Sequence, residues 1–225
     1  MKPKKKLLKK SRLYLIIDSQ IAKPAGLGRI AKKLRQAPID IIQLRDKHSK
    51  KRVILKEALA LRGIFLNSAK LFLVNDYPDI AKICHADGVH LGQGDLPVKA
   101  ARRMLGSQSI IGKSCHNLRQ AMQAEKEGVD YIGMGPLFAS RTKRLRRKMI
   151  EPALIRAVSR KINIPLFAVG GITANNLGQA FSLGIRRVAV CGAILRANNA
   201  ALAAKDFNRQ LKELNSDDLT GTGKE

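Results

Sequence analysis

The sequence LFLVNDYPDIAKICHADGVHLGQGD (residues 71–95) contains two mainly apolar runs, and each ends in a polar cluster that includes an aspartate. The runs are Leu71–Val74 and Ala86–His90, and the aspartates are Asp76 and Asp95. A short helical pattern separates the runs, so the stretch is predicted to fold as strand, helix, strand. Ligands bind at the carboxyl ends of strands in barrels and in open α/β sheets, so both aspartates are expected at the binding edge.

Two carboxylates at this edge form a candidate Mg²⁺ site. Mg²⁺ takes oxygen ligands, typically one or two carboxylates, and completes its shell with water and phosphate oxygens. The alternative for Asp76 alone is that it caps the helix that follows, since Asp is favoured at that position. The pairing of two such strand ends favours the metal.

Apolar runs alternate with helical patterns on both sides of this unit, which gives eight predicted strands in a chain of 225 residues. Most of these runs are apolar throughout, as expected for strands that are buried on both faces. The pattern predicts a single (β/α)₈ TIM barrel over residues 12–214, with a doubly wound sheet as the alternative. The dinucleotide fingerprint GxGxxG is absent, because Gly133-Met134-Gly135 lacks the third glycine and the following helix.

The lysine-rich segment 1–11 precedes the first predicted strand, and the segment 215–225 follows the last predicted helix. Both are predicted to be flexible tails, as chain termini often are. We therefore expect residues 1–10 to be dispensable for the chemistry. The short apolar run after the basic N-terminus ends at Asp18, so a signal peptide is not expected.

The composition is strongly basic, with 43 Lys and Arg against 17 Asp and Glu and a net charge of +26. Such a charge favours anionic partners, which include nucleic acids, membrane surfaces and phosphorylated metabolites. Aromatic content is only 4% and Trp is absent, so stacking platforms for single strands are scarce, and no nucleic-acid motif is present. We therefore expect phosphorylated small molecules, rather than nucleic acid, as the main partners.

No apolar run approaches the roughly 20 residues that span a membrane, so no membrane partner is expected. Cys84, Cys115 and Cys191 are odd in number and widely spaced, which fits neither a disulfide framework nor a zinc motif. This pattern predicts a reducing, cytoplasmic location. The sequence does not define the oligomeric state, and a homodimer is one arrangement that we consider.

The predicted strand ends contain cations, amide and hydroxyl donors and two carboxylates, but no obvious pair of nucleophile and base. Their residues are Gln43, Arg45, Lys47, Asn75, Asp76, Asp95, Ser114, His116, Ser140, Thr142, Lys143, Gly170, Gly171 and Gly192. Gln43, Arg45 and Lys47 alternate, so they share one face of an extended strand end. The set is typical of a site for a phosphate or diphosphate that a metal ion bridges.

Gly170 and Gly171 follow the seventh predicted strand, where barrels commonly build phosphate sites. Backbone N–H groups can approach a phosphate closely at a glycine because no Cβ intervenes. The alternative is that the pair only forms a tight turn. His90 is interpreted as a packed strand residue, whereas His116 is either a packed residue or a site residue.

Eight segments of the chain, in order, resemble the thiamine-phosphate synthase family. They are LYLIID (13–18), QLRDK (43–47), VNDYPDIA (74–81), ADGVHLGQGDLP (86–97), IGKSCHN (111–117), DYIGMGPLF (130–138), TK (142–143) and FAVGGIT (167–173). The resemblance implies a (β/α)₈ barrel. It also implies an enzyme that joins a hydroxymethylpyrimidine diphosphate to a thiazole phosphate and releases pyrophosphate through a pyrimidine carbocation.

The resemblance also implies roles for individual residues, with Asp76 and Asp95 holding Mg²⁺ and Ser114 contacting the pyrimidine. The residues that it assigns to the diphosphate are Gln43, Arg45, Lys47, Asn75 and Lys143. The groups that it assigns to the thiazole phosphate are Ser140, Thr142, Gly171 and the backbone at Cys191 and Gly192. Arg45, Lys47, Ser114 and Lys143 are the expected catalytic residues, because preorganised cations would stabilise the leaving group.

The chain departs from the family pattern at three places. Ser140 replaces the usual Thr and keeps the hydroxyl, whereas Gly192 replaces the usual Ser and keeps only a backbone donor. The segment KRLRRK (143–148) is more basic than usual. We assign its arginines to solvent or to electrostatic steering of anionic substrates.

Two other functions stay open. The related thiazole tautomerases share the fold and use a histidine that matches His116 for proton transfer. They typically lack the aspartate and the lysine that match Asp76 and Lys143, so the retention of both favours the synthase. The third alternative is a basic barrel that binds polyanions without catalysis.

Overall fold

Eight parallel strands form a closed barrel in the computed structural model, which describes residues 3–139 and 148–220. The strands pair in sequence order, and β1 closes the barrel by pairing with β8. They are β1 (Leu13–Asp18), β2 (Ile41–Arg45), β3 (Leu71–Asn75), β4 (Gly88–Leu91), β5 (Ile110–Cys115), β6 (Tyr131–Met134), β7 (Leu166–Val169) and β8 (Val188–Val190). The predicted (β/α)₈ barrel is therefore confirmed, and the doubly wound alternative is wrong because the sheet has no free edge.

One helix precedes β1, and the other helices follow the strands on the outside of the barrel. They are α1 (Pro3–Lys10), α2 (Ser19–Ala22), α3 (Leu27–Leu34), α4 (Lys51–Phe65), α5 (Pro78–Ile83), α6 (Val98–Leu105), α7 (Leu118–Lys126), α8 (Pro152–Lys161), α9 (Leu177–Ser182), α10 (Gly192–Leu195) and α11 (Ala200–Thr220). Two 3₁₀ turns, Lys23–Ala25 and Ala174–Asn176, precede α3 and α9. Within the described residues, no helix is both apolar enough and long enough to cross a lipid bilayer.

Strand residues alternate between two hydrophobic layers. In β1, Leu13, Leu15 and Ile17 belong to the layer between strands and helices, while Tyr14 and Ile16 belong to the cluster inside the barrel. Both faces of each strand are thus buried, which is the reason why the strand sequences are apolar throughout instead of alternating.

Three aromatic rings fill the middle of the barrel. Tyr14, Tyr131 and Phe167 pack edge to face, with ring centroids 5.5 to 5.9 Å apart. Gly112 on β5 makes room for one of them, because a Cβ at this position would lie only 2.0 Å from Cζ of Tyr131. The glycine in this strand therefore has a packing role.

Three aspartates lock the amino-terminal edge of the barrel. Each aspartate lies directly before an even-numbered strand and contacts one residue near the start of the preceding odd-numbered strand. The aspartate donates its backbone N–H to the carbonyl of that residue, and its carboxylate accepts the backbone N–H of that residue. The pairs are Asp40 with Leu13, Asp87 with Phe72, and Asp130 with Ile111, and each carboxylate lies 2.9 Å from its N–H donor. These two-point contacts fix the register of the strand pairs.

Helix α1 covers the same edge. Leu8 is only 1% exposed and belongs to the cluster inside the barrel, while Lys4 and Lys5 pair with Asp87 and Asp130 at 2.8 and 2.6 Å. The prediction of a flexible tail is therefore wrong for residues 3–10. The lysine run obscured two adjacent leucines that can fill the end of a barrel.

The C-terminal segment also differs from its prediction. Helix α11 runs to Thr220, so residues 215–220 continue the last helix instead of forming part of a flexible tail. Residues 221–225 lie outside the described part of the chain. The barrel with its last helix therefore extends beyond the predicted boundary at residue 214.

Leu8→Ala should destabilise the protein, because it removes a buried side chain from the end of the barrel. We expect a loss of about 2–4 kcal/mol in the free energy of unfolding, measured by urea denaturation. Lys6→Ala on the exposed face of the same helix is the matched control and should change stability by no more than about 0.5 kcal/mol. Equal, small effects of both changes would show that α1 does not contribute to the core.

Candidate active site

The carboxyl ends of β2 to β5 bring most of the predicted site residues to one rim of the barrel. Arg45 and Asn75 are the last residues of β2 and β3, and Ser114 lies near the end of β5. Asp76 follows β3 directly, Lys47 lies two residues after β2, and Asp95 lies in the loop after β4. The rim therefore contains cations, carboxylates and neutral donors side by side.

Asp76 and Asp95 meet at this rim. Their carboxyl groups are joined by a side-chain hydrogen bond, and Lys47 Nζ lies 2.7 Å from Asp76 Oδ2. Asp95 Oδ2 also accepts the N–H of Gly92 at 2.5 Å, which fixes its loop. The structure thus brings together the two carboxylates that the sequence singled out as metal ligands.

The environment of Asp76 disfavours its charged form. Burial, followed by the hydrogen bond to Asp95, raises the pKa of the Asp76 carboxyl, and Lys47 only partly opposes this shift. Its side chain is 11% exposed, and its backbone lies in the left-handed region with φ of 66°. The Asp76 N–H donates to the carbonyl of His90 at 2.8 Å, so this conformation is anchored to the neighbouring strand.

Asn75 presents a hydrogen-bond donor without a partner. Its side chain is 6% exposed, and within the described residues its Nδ2 atom has no hydrogen-bond acceptor although it is buried. Leaving a buried donor unpaired costs about 1–3 kcal/mol. Such an atom beside a rim of cations and carboxylates is suited to an oxygen of a bound ligand.

Arg45 is held at the rim by a carboxylate that the sequence analysis did not include among the site residues. Its NH1 group pairs with Asp18 Oδ2, and Asp18 Oδ1 also accepts N–H groups at the start of α2. The sequence contained a signal for this role, because Asp18 ends its strand much as Asp76 follows β3.

Asp18 lies close to Cys191 as well. Burial, with the charge of Asp18 as a secondary cause, raises the pKa of the Cys191 thiol to about 12. The thiol therefore stays protonated at neutral pH.

Gln43 and Ser114 face the interior of the barrel below the rim. Gln43 is 2% exposed, and its Nε2 donates to the hydroxyl of Tyr14 at 2.7 Å. Ser114 Oγ lies 2.9 Å from Nε2 of His90, and Nδ1 of His90 lies 2.9 Å from the hydroxyl of Tyr131. His90 is packed within the barrel as expected, but its contact with Ser114 was not foreseen. Sequence patterns cannot show such a side-chain contact between two strands.

The far side of the rim, after β6, β7 and β8, is shaped by glycines. Gly171 has φ of 66°, and a Cβ there would lie 2.4 Å from the carbonyl oxygen of Ala139, so only glycine fits. Gly192 begins the short helix α10, directly after Cys191. His116 Nδ1 lies 3.3 Å from the carbonyl oxygen of Gly135. Three of the predicted site residues lie outside the described residues, namely Ser140, Thr142 and Lys143.

The chain is similar to known proteins over most of its length. A family model for thiamine monophosphate synthase matches residues 13–194. The thiamine-phosphate synthase of Shouchella clausii is 35% identical over 206 residues, which cover 92% of this chain and 99% of that protein. The thiamine-phosphate synthase of Methanosarcina mazei is 34% identical over 220 residues, with coverages of 98% and 89%. A solved thiamine phosphate pyrophosphorylase from Pyrococcus furiosus is 28% identical, with a TM-score of 0.80 and coverages of 93% and 98%.

Asp76→Asn should stabilise the metal-free protein at alkaline pH. Because the folded-state pKa of Asp76 is raised, the protonated carboxyl favours folding at low pH, and this contribution is lost as the pH rises through the folded-state pKa. Asn is neutral, has nearly the same shape and tolerates a positive φ. We expect a gain of about 1 kcal/mol at about pH 8, measured by urea unfolding in EDTA, that shrinks as the pH falls.

Asp79→Asn is the matched control for this change. Burial raises the pKa of Asp79, but the hydrogen bond from Lys51 and other contacts outweigh burial, so the pKa is lowered. Replacing this carboxylate should therefore not stabilise the protein at alkaline pH. A gain for Asp76→Asn that did not vary with pH would contradict the electrostatic explanation.

Proposed function

Because the chain belongs to the thiamine monophosphate synthase family, we propose that it joins 4-amino-2-methyl-5-hydroxymethylpyrimidine diphosphate to a thiazole phosphate. The products are thiamine phosphate and pyrophosphate, and the enzyme is a transferase of the thiamine-phosphate synthase type. The observation that carries these substrates is the pair Asp76 and Asp95, which meets beside Lys47 and the unpartnered amide of Asn75. This combination suits a diphosphate with a bound cation.

We assign Mg²⁺ to the two carboxylates. The two carboxyl groups are adjacent and share a hydrogen bond, and the pKa of Asp76 is raised. Such a pair is suited to bind a Mg²⁺ ion that also contacts substrate phosphate. Two is also the number expected, since Mg²⁺ rarely occupies an all-protein cage. When bound, the ion would neutralise part of the charge on the leaving diphosphate.

Arg45, Lys47 and Asn75 are the proposed diphosphate donors. Asp18 holds the Arg45 guanidinium at the rim through NH1, and the group has five N–H donors in total. The Lys47 side chain is 44% exposed, so it can face a bound anion while it remains close to Asp76. We also place Gln43 and Lys143 with this half of the site, although Gln43 contacts Tyr14 and Lys143 lies outside the described residues.

The proposed reaction needs no pair of nucleophile and base. The bond between the pyrimidine methylene carbon and the diphosphate oxygen breaks, and its electrons leave with pyrophosphate. The lone pair of the thiazole nitrogen then forms the new carbon–nitrogen bond, and no proton has to be removed in either step. Preorganised cations at the leaving group can therefore provide most of the stabilisation, and the protonated Cys191 thiol needs no role as a nucleophile.

The thiazole phosphate is assigned to the rim after β6, β7 and β8. Gly171 and the backbone at Cys191 and Gly192 would provide N–H donors there, since glycine allows a phosphate to approach the main chain. Ser140 and Thr142 would add hydroxyl groups. Placing the two phosphates on opposite sides of the rim leaves Ser114, above the barrel interior, for the pyrimidine ring.

The purified protein should produce thiamine phosphate and pyrophosphate when both substrates and Mg²⁺ are present, and EDTA should stop turnover. Asp95→Asn should lower kcat by about 10²-fold or more, the size of loss expected for a stabilising contact at the transition state. Pyrophosphate release in a coupled assay is the measurement. Asp79→Asn is the matched control and should retain activity, because the Asp79 side chain, in the first turn of α5, is partly exposed and pairs with Lys51.

Other outcomes identify the alternatives. Tautomerisation of a thiazole carboxylate phosphate that depends on His116, without pyrophosphate release, would indicate an isomerase. Salt-sensitive binding to mixed nucleic acid without turnover would indicate a binding protein. Turnover that resists both EDTA and the Asp95 change would remove the metal from the proposal.

A further inference from the structure

A chain of hydrogen bonds crosses the barrel interior and ends at Ser114. Gln43 Nε2 lies 2.7 Å from the Tyr14 hydroxyl, which lies 2.9 Å from the Tyr131 hydroxyl. The Tyr131 hydroxyl lies 2.9 Å from His90 Nδ1, and His90 Nε2 lies 2.9 Å from Ser114 Oγ. Five side chains from β2, β1, β6, β4 and β5 are thus linked in one line.

Each member of this chain has a limited number of protons. Burial raises the pKa of both phenols, so Tyr14 and Tyr131 each keep one hydroxyl proton at neutral pH. A neutral imidazole has one N–H donor and one acceptor nitrogen, and a serine hydroxyl has one proton. The direction of one hydrogen bond therefore constrains the direction of the next.

Gln43 fixes the direction of the first hydrogen bond. Its Nε2 group donates to the Tyr14 oxygen, so Tyr14 must send its own proton elsewhere. The Tyr131 oxygen lies within hydrogen-bonding distance, and a buried hydroxyl without an acceptor would be costly. Tyr14 thus donates to Tyr131, and Tyr131 in turn donates to Nδ1 of His90.

The same reasoning defines the state of His90 and Ser114. A neutral imidazole that accepts from Tyr131 at Nδ1 has its ring proton on Nε2, and at His90 this N–H would be donated to Ser114 Oγ, 2.9 Å away. The hydroxyl proton of Ser114 then takes part in none of these hydrogen bonds. Ser114 can donate this proton to a ligand in the space above it.

We infer that Tyr131 and His90 are positioning residues that hold Ser114 as a hydrogen-bond donor to a ring nitrogen of the aminopyrimidine substrate. The inference rests on the proposed function for the identity of the ligand. A ring nitrogen accepts hydrogen bonds, whereas the exocyclic amino group donates them. Fixing Ser114 as a donor therefore selects which edge of the pyrimidine faces β5.

Packing alone does not account for this arrangement. Phe167 fills the same interior at 5.5 Å from both tyrosine rings without any hydroxyl group, so the core accepts phenylalanine. Two phenols and an imidazole in an apolar cluster require every polar atom to be satisfied. The line of contacts satisfies them and ends at a residue that faces the site.

The first test measures the tautomer of His90 without any substrate. In protein labelled with ¹⁵N-histidine, nitrogen chemical shifts and couplings distinguish a protonated Nε2 from a protonated Nδ1. The chain has 4 histidines, and His90→Gln identifies the resonances of His90. We expect neutral His90 with the proton on Nε2, and a proton on Nδ1 or on both nitrogens would overturn the inference.

Tyr131→Phe and Tyr14→Phe form a matched pair, because each removes one phenolic oxygen from the same core. Tyr131→Phe removes the donor to Nδ1, so both tautomers should become populated and Ser114 should lose its fixed role as a donor. Tyr14→Phe leaves Tyr131 with His90 as its acceptor, so the Nε2–H tautomer should persist. Equal tautomer populations in the two variants would overturn the assigned direction.

Kinetics link the chain to the substrate. Tyr131→Phe should raise the KM for the pyrimidine diphosphate by roughly two- to tenfold, the value of one net hydrogen bond, with kcat and the KM for the thiazole phosphate nearly unchanged. Tyr14→Phe should stay within about twofold of wild type. A changed tautomer with an unchanged KM would overturn the role in pyrimidine binding. Absence of turnover in the wild type would refute the proposed function, while the tautomer measurement would still test the assigned directions of the hydrogen bonds.

Discussion

The reciprocal hydrogen bonds of Asp40, Asp87 and Asp130 fix the strand register on which the whole site depends. Successive side chains of a strand point to opposite faces, so a slip of one residue would exchange every inward side chain for an outward one. Gln43, for example, would move from the barrel interior to the helix layer. A two-point contact at the start of a strand pair penalises such a slip, because both hydrogen bonds would be lost together.

The carboxylates at the two ends of the barrel have different partners. At the amino-terminal edge, Asp87 and Asp130 accept backbone N–H groups and also pair with lysines of α1, so their charges are well compensated. At the carboxyl-terminal rim, Asp76 and Asp95 face one another with Lys47 as the cation in contact with Asp76. The fully compensated carboxylates thus lie at one end of the barrel, and the other end retains the incompletely compensated groups that binding and catalysis require.

The sequence was sufficient to predict the barrel and most of the rim, because both follow from local patterns. Apolar runs reveal strands buried on two faces, and a polar residue directly after such a run lies at the rim, as Asp76 and Lys47 do. Helix α1 was missed because its Leu7 and Leu8 are surrounded by lysines, and no local pattern shows that they fill the end of a barrel. The contacts among Tyr14, Tyr131 and His90 were missed for a similar reason, since they join strands distant in the chain.

The strong positive charge is consistent with a small anionic substrate once the positions of the acidic residues are considered. The chain has only 17 Asp and Glu, and several of them perform specific tasks: Asp40 and Asp87 bind strand backbone, while Asp18 fixes Arg45. Few acids are therefore left to neutralise the many exposed lysines. The resulting field attracts anions to the whole surface, but it cannot by itself select one. Selection of one anion requires hydrogen-bonding and charged groups whose direction is fixed. Such groups lie at the rim of the barrel, around Asp18, Asn75 and Asp76.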